Sequence, residues 1–160
     1  MYKVLDICRY VINYSNDKEY GISNLKLQKV LYFIQAYFLA FTDEKEPCFE
    51  EKIEAWDFGP VVPVAYHEYK QYGSNDIPKV KEVFEINFTD IFKSRIVPFD
   101  DSIIFDNDKE IINAVVDKFA DYSATTLVKI THNQLPWINA YRKGKNSEIT
   151  IDSIRDYYNG

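Results

Sequence analysis

With 160 residues, of which 46% are hydrophobic, the chain is long enough to bury a core of its own and is not composed like a disordered protein. Its net charge of −6 disfavours nucleic acid as a partner, because electrostatic binding to phosphates needs Lys and Arg massed on one face. Only five glycines are present and no Walker pattern occurs, which argues against a nucleotide-binding loop.

Two helices are predicted at the start of the chain. Apolar residues at helical spacing from Val4 to Ile12 predict a first helix over about residues 2–14. Ser23 is a plausible N-cap for a second helix from Asn24 to about Phe41, whose apolar residues cover nearly all sides. Such a helix is expected to be central and buried. Its most apolar run, 30–41, is too short to span a bilayer, so we expect no membrane association.

The middle of the chain reads as short elements. Residues 49–56 favour a strand, and Gly59–Pro60 is a turn signal. A third helix is predicted over about 61–72, followed by a glycine suited to a helix end. Alternation of Phe84 and its neighbours predicts a half-buried strand, and residues 96–99 and 103–105 are expected to be further extended pieces.

Helical patterns return in the last third. Asn107 with Glu110 resembles a capping box that would start a fourth helix, and helices are predicted near 123–131 and 136–141. Thr150 can cap a last helix, with Ile149 and Ile154 as a hydrophobic staple across its start. The predicted fold class is therefore mainly α (α+β): a single compact helical domain over residues 1–160, with a central buried helix and a small antiparallel strand component.

The sequence carries no pattern that specifies catalysis or a metal. His67 and His132 are the only histidines, Cys8 and Cys48 lack metal-ligand spacing, and no Gly-x-Ser-x-Gly motif occurs. A nucleophilic cysteine with His132, or a small hydrolase built on His132, stays open as an alternative. We expect no catalytic residues, no metal and no cofactor. Two cysteines without a disulfide framework indicate a reducing, cytoplasmic setting.

Aromatic residues make up 16% of the chain and mark two segments. Residues 53–60 and 131–137 each join a tryptophan to a proline that turns the chain. Both tryptophans could fill the core at element junctions, or anchor a protein interface, since tryptophan serves both purposes.

Three blocks of sequence resemble those of a known family. Residues 25–33 are similar to its Leu-Lys-Leu-Gln-Lys-Leu-Leu-Tyr-Phe block. Residues 54–66 resemble its Glu-Ala-Trp…Gly-Pro-Val-Val-Pro…Tyr block, and 131–137 resemble its closing Thr-His…Pro-Trp element. The blocks come in the family's order. The family is the Panacea domain, or SocA-like antitoxin group, also described as phage-associated proteins.

The resemblance implies a bacterial type II antitoxin, a protein that binds and neutralises a toxin encoded beside it. Some such antitoxins are thought to hand the toxin to a protease as adaptors. Candidate partner-binding residues, by resemblance and by residue type, are Lys26, Gln28, Lys29, Tyr32, Trp56, Tyr66, His132 and Trp137. For the first three, solvent exposure or the capping of a neighbouring strand is the alternative. A phage- or prophage-encoded regulator associated with nucleic acid is the alternative function.

Overall fold

One helix, α2 (Asn24–Phe41), runs through the centre of the computed structural model, which describes residues 1–160. Fourteen of its 18 residues are buried, as its nearly continuous apolar surface predicts. The Ser23 hydroxyl accepts a hydrogen bond from the Lys26 amide and so caps the helix. Both the bounds and the cap of this predicted helix are confirmed.

Six further helices surround α2. Ser123 and Thr150 cap two of them through their side chains, and Pro63 occupies the first turn of a third, where a missing amide is harmless. The predicted helices near 123–131 and 136–141 and the last helix are confirmed within one or two residues. The helices are α1 (Val4–Asp17), α3 (Pro63–Tyr69), α4 (Asp106–Lys118), α5 (Ala124–His132), α6 (Leu135–Lys143) and α7 (Ile151–Asn159).

Five short strands form two antiparallel sheets. β1 (Ile53–Trp56) lies between β2 (Gly59–Val61) and β5 (Ser147–Ile149) in the first sheet. β3 (Glu82–Glu85) and β4 (Arg95–Pro98) make a separate two-stranded arm. Seven helices with this small strand component confirm the mainly α, α+β class.

Several predicted boundaries were wrong. Gly59 and Pro60 belong to β2 rather than to a turn, and a two-residue loop, Asp57–Phe58, closes the hairpin. The third helix covers 63–69 and ends in a 3-10 turn at 70–72. Asn107 caps nothing, because α4 begins one residue before it and its N-cap, Phe105, makes no side-chain bond.

The arm was predicted as a half-buried strand with Phe84 on its packed face, but Phe84 lies on the exposed face, and Val83 and Val97 on the other face are the half-buried residues. Phe84 and its cross-strand partner Ile96 are 61% and 65% exposed. Alternation places side chains on one face of a strand, but here no other element covers that face. A 3-10 turn at Asp101–Ile103 replaces the last extended piece that the sequence predicted.

The core is continuous from one end of the chain to the other. A cluster of 33 buried apolar residues extends from Val4 in α1 to Ile154 in α7. Ile149 and Ile154, the two residues of the predicted staple, are both part of it. None of the helices is long and apolar enough to cross a bilayer.

Candidate functional site

The first two sequence blocks meet at the β1–β2 hairpin. Near the start of α2, the Lys29 ammonium donates a hydrogen bond to the Pro60 carbonyl at 2.9 Å. The Gln28 side-chain carbonyl accepts from the Val62 amide at 3.0 Å. Both side chains are buried, so α2 fixes the outgoing strand of the hairpin through its backbone.

Lys29 is fully buried and belongs to none of the ion pairs of the protein. Because burial penalises its charged form, its pKa falls to about 7. Its stem passes beside Gly59, which has a φ of +102°. A Cβ atom there would lie 2.8 Å from Lys29 Cε and 2.9 Å from Thr131 Oγ1, so only glycine fits.

The third block reaches the hairpin through a ladder of rings at the α5–α6 junction. His132 stacks on Trp137 with centroids 4.0 Å apart, and Trp137 stacks on Tyr141 at 4.5 Å. The Trp137 indole donates to the Trp56 carbonyl at 2.9 Å. The first and third blocks therefore hold the hairpin that belongs to the second block. Lys29 of the first block binds the Pro60 carbonyl, and Trp137 of the third block binds the Trp56 carbonyl.

His132 has an unusual environment within that ladder. Its Nε2 atom is buried and has no hydrogen-bond partner. Burial is the main cause that lowers its pKa, with the Lys29 charge acting in the same direction, while a backbone bond to Asp57 opposes them. The ring is therefore neutral at pH 7, and its contact with Trp137 is aromatic stacking.

The outer side of the hairpin presents an aromatic surface. Trp56 is half-buried, donates to Glu54 at 2.9 Å and meets Tyr66 edge-on at 5.0 Å. Beyond it, Phe58 at the hairpin tip is 68% exposed. We use the name hairpin surface for this set, which consists of Trp56, Asp57, Phe58, Tyr66 and His67.

Asp57 supplies the charge of the hairpin surface. Its carboxylate accepts from the Tyr141 hydroxyl at 2.6 Å and lies 3.3 Å from the Lys145 ammonium. Both contacts lower the pKa of Asp57, and the bond from Tyr141 has the larger effect. The tip therefore carries a carboxylate, paired with Lys145, beside an exposed phenyl ring.

Tyr32 and Lys26 lie elsewhere. Tyr32 is fully buried, and its hydroxyl donates to the Gln134 side-chain carbonyl at 2.7 Å, which the Tyr158 hydroxyl also approaches at 3.0 Å. Tyr32 thus joins the α5–α6 junction to α7 from inside the core. Lys26 donates to the Ala120 carbonyl at 3.0 Å, beyond the end of α4 and away from the hairpin.

The eight predicted site residues therefore fall into three groups. Trp56, Tyr66, His132 and Trp137 are half-buried around the hairpin, Gln28, Lys29 and Tyr32 are fully buried, and Lys26 is separate. For Gln28 and Lys29, the alternative of solvent exposure was wrong, because both side chains are buried. The other alternative, bonding to the backbone of a neighbouring strand, is confirmed by their bonds to Val62 and Pro60. Sequence reasoning missed Asp57 and Phe58, because the turn was predicted at Gly59–Pro60 and not at the two-residue loop 57–58. It missed Tyr141 because the bond from Tyr141 to Asp57 joins residues 84 positions apart.

No three His, Cys, Asp or Glu side chains lie close enough together to hold a metal ion. The geometry of the hairpin surface consists instead of aromatic rings, one carboxylate and a loop fixed through its backbone. Tryptophan and tyrosine side chains are enriched at protein interfaces.

Comparison with known proteins places the chain in a family. Residues 27–138 match the family described as "Antitoxin SocA-like, Panacea domain", and the chain belongs to it. Antitoxin SocA of Caulobacter vibrioides (strain NA1000 / CB15N) is 48% identical over 52 residues, which are 32% of this chain and 27% of that protein. The matched part is thus a small share of that relative. No solved structure matches the chain.

Proposed function

We propose that this protein is an antitoxin that binds a protein toxin directly and neutralises it without catalysis. Membership of the SocA-like family and the similarity to antitoxin SocA support the antitoxin role. One observation supports this binding site: all three sequence blocks meet at one hairpin, and the tip of that hairpin carries an exposed phenylalanine ring.

The hairpin surface is suited to protein recognition. Tryptophan and tyrosine dominate the energetics of many interfaces because they bury a large area with few rotatable bonds. Here Trp56 and Tyr66 are already packed against each other before any partner binds. Phe58 adds a ring that is 68% exposed at the tip. A surface ordered in advance loses less conformational entropy on binding.

Five of the candidates act as positioning residues in this proposal. Gln28 and Lys29 hold the outgoing strand, Trp137 holds the last residue of the incoming strand, and His132 supports Trp137 by stacking. Tyr32 fixes the α5–α6 junction that carries them. Lys26 secures the turn after α4 and has no part in the hairpin surface.

The mechanism that we propose is occlusion, in which the hairpin surface covers the working face of the toxin. Delivery of the toxin to a protease is the alternative mechanism. The two differ in the fate of the toxin: occlusion leaves its amount unchanged in the cell, whereas delivery lowers it. We propose the cytoplasm as the place of action, where the two buried free cysteines stay reduced.

We also propose that the functional unit is one domain over residues 1–160. The family match covers 27–138, yet α1 and α7 outside it both pack on α2. Both contribute to the same 33-residue core cluster. Removing either helix would expose the central helix, so the antitoxin domain requires them.

Growth rescue tests this proposal. The product of the adjacent gene is expressed alone and together with this protein, and a tag on this chain recovers the complex. We expect rescue of growth and a stoichiometric complex. Phe58→Ser should weaken the complex, because it removes an exposed ring from the hairpin tip without opening the core.

The control is Phe88→Ser, which removes an even more exposed ring, 93% exposed, from the β3–β4 arm. Its complex should be as stable as that of the wild type. If the two variants behave alike, the hairpin surface is not the contact. If the neighbouring product is harmless and does not bind, the operon-partner form of the proposal fails. Toxin abundance with and without this protein then separates occlusion from delivery.

A further inference from the structure

A groove opens at the opposite end of α2 from the hairpin. It has a volume of about 790 Å³ and lies between the end of α2, the loop that follows it and the start of α4. Phe38 and Cys48 are buried at its base, whereas Phe41 and Phe105 are 66% and 75% exposed at its sides. Twelve residues of α2 separate Lys29 from Phe41, a distance of about 18 Å along the helix.

The rim of the groove is acidic. Asp43, Glu44 and Glu46 line it from the loop after α2, and Asp108 lines it from the first turn of α4. None of the lining residues is a lysine or an arginine. The three loop carboxylates take part in no ion pair, and Asp108 is bonded only to the Tyr2 hydroxyl. The groove therefore combines exposed aromatic rings with four carboxylates that form no ion pair, and Lys45 of the same loop is not part of its lining.

We propose that this groove binds a basic amphipathic segment of a protein partner. The apolar face of the segment would pack between Phe41 and Phe105, and its Lys or Arg side chains would meet the carboxylates of the rim. Since no strand lines the groove, helix-in-groove packing is the mode that fits. The same acidic rim, on a chain with a net charge of −6, opposes an anionic membrane.

This second surface goes beyond the proposed antitoxin contact. It shares no lining residue with the hairpin surface and lies at the other end of the central helix. An antitoxin with two separated surfaces could hold one partner at each. The groove can be tested without a toxin, so its outcome is independent of the growth-rescue experiment.

The test uses a synthetic peptide of about 14 residues, which forms a helix roughly 21 Å long. Leucines occupy one face and lysines the other. Its binding to the full chain is measured by fluorescence anisotropy at low and at high salt. We expect binding that weakens with salt, because exposed charge pairs are screened. A control peptide with glutamates in place of the lysines should not bind.

Two pairs of variants locate the site. Asp43→Asn, Glu44→Gln and Glu46→Gln together should weaken binding by about tenfold, since each exposed charge pair is worth a few-fold. The matched triple variant Glu82→Gln, Glu85→Gln and Asp90→Asn changes the net charge by the same amount on the arm and should change affinity by less than about twofold. Phe41→Ser should weaken binding, whereas Phe92→Ser, at a site 95% exposed on the arm, should not.

Equal weakening by both triple variants would overturn the proposal, because the peptide would then respond only to net charge. Unchanged binding to Phe41→Ser would also overturn it, as would cross-linking of the peptide to the hairpin surface. Concentration-dependent dimerisation that Phe41→Ser abolishes would place a second copy of this chain in the groove instead of a basic partner. Exposed phenylalanines leave the core intact, so loss of folding does not confuse these outcomes.

Discussion

Replacing Lys29 with methionine should remove a pH dependence of stability that the buried ammonium imposes on the protein. Burial lowers the pKa of Lys29 from 10.5 to about 7 in the folded state. The unfolded chain therefore binds more protons than the folded chain between these two values. Across that window the free energy of unfolding rises with pH, and below about pH 7 the full penalty of the buried charge is present.

The size of the effect follows from the shift. At 1.36 kcal/mol for each pKa unit, the charged lysine costs the folded state roughly 4 kcal/mol at pH 7 and roughly 1 kcal/mol at about pH 9.5. The wild type should therefore gain about 3 kcal/mol relative to Lys29→Met over this range. Methionine also leaves the Pro60 carbonyl without its bond, but that loss, about 1 kcal/mol, does not depend on pH.

Urea unfolding followed by tryptophan fluorescence measures this difference. Both proteins are titrated with urea at both pH values. The titrations of Cys8 and Cys48 contribute equally to the two proteins, so they cancel in the difference between their free energies of unfolding. Lys52→Met, at an exposed lysine, is the matched control and should follow the wild type. A constant difference between wild type and Lys29→Met at both pH values would refute the reasoning, because Lys29 would then keep an ordinary pKa.

Three further substitutions test β2, the loop at 47–50 and the start of α7. Gly59→Ala should lower the free energy of unfolding by about 2 kcal/mol or more, since the new Cβ would enter the space of Lys29 Cε at a positive φ. Gln35→Leu should cost about 2–4 kcal/mol, because the Gln35 carbonyl accepts from the buried Cys48 and Phe49 amides, which would lose their partner. Thr150→Ala should cost about 1 kcal/mol through loss of the α7 cap. Urea midpoints check all three.

Two of these substitutions have a control variant. Gly73 also has a positive φ, +56°, but nothing lies within 4 Å of the position of its Cβ, so Gly73→Ala measures backbone strain alone. Equal losses at Gly59 and Gly73 would show that the contact with Lys29 is unimportant. Thr150→Ser should restore the cap. A Gln35→Leu variant as stable as the wild type would mean that other bonds hold the loop at 47–50.

Local sequence patterns predicted the central helix and its neighbours well. The apolar residues of α2 on all sides and the Ser23 hydroxyl define both its burial and its start, because these signals lie within a few residues of each other. The Thr150 cap and the buried residues Ile149 and Ile154 did the same for α7. These elements were predictable because their determinants are local.

The remaining features depend on contacts between distant parts of the chain. β2 and β5 have three residues each, which is too short for a periodic pattern. Lys29 is a charged residue near the start of α2, which favours exposure, yet its partner is the Pro60 carbonyl 31 residues away. The exposed tip at Phe58 was missed for the same reason, since only the pairing of β1 with β2 defines the loop. The resemblance to the family identified three sequence blocks, and the structure shows that they meet at one hairpin.

The bonds that position the hairpin go to its main chain. Gln28 binds the Val62 amide, Lys29 binds the Pro60 carbonyl and Trp137 binds the Trp56 carbonyl. None of them reads the identity of the side chain at the tip, where Phe58 points into solvent. Evolution can therefore exchange the tip residue without reshaping the scaffold. If the hairpin surface is the toxin contact that we propose, homologues with the same interior can differ in what they recognise through the tip residue alone.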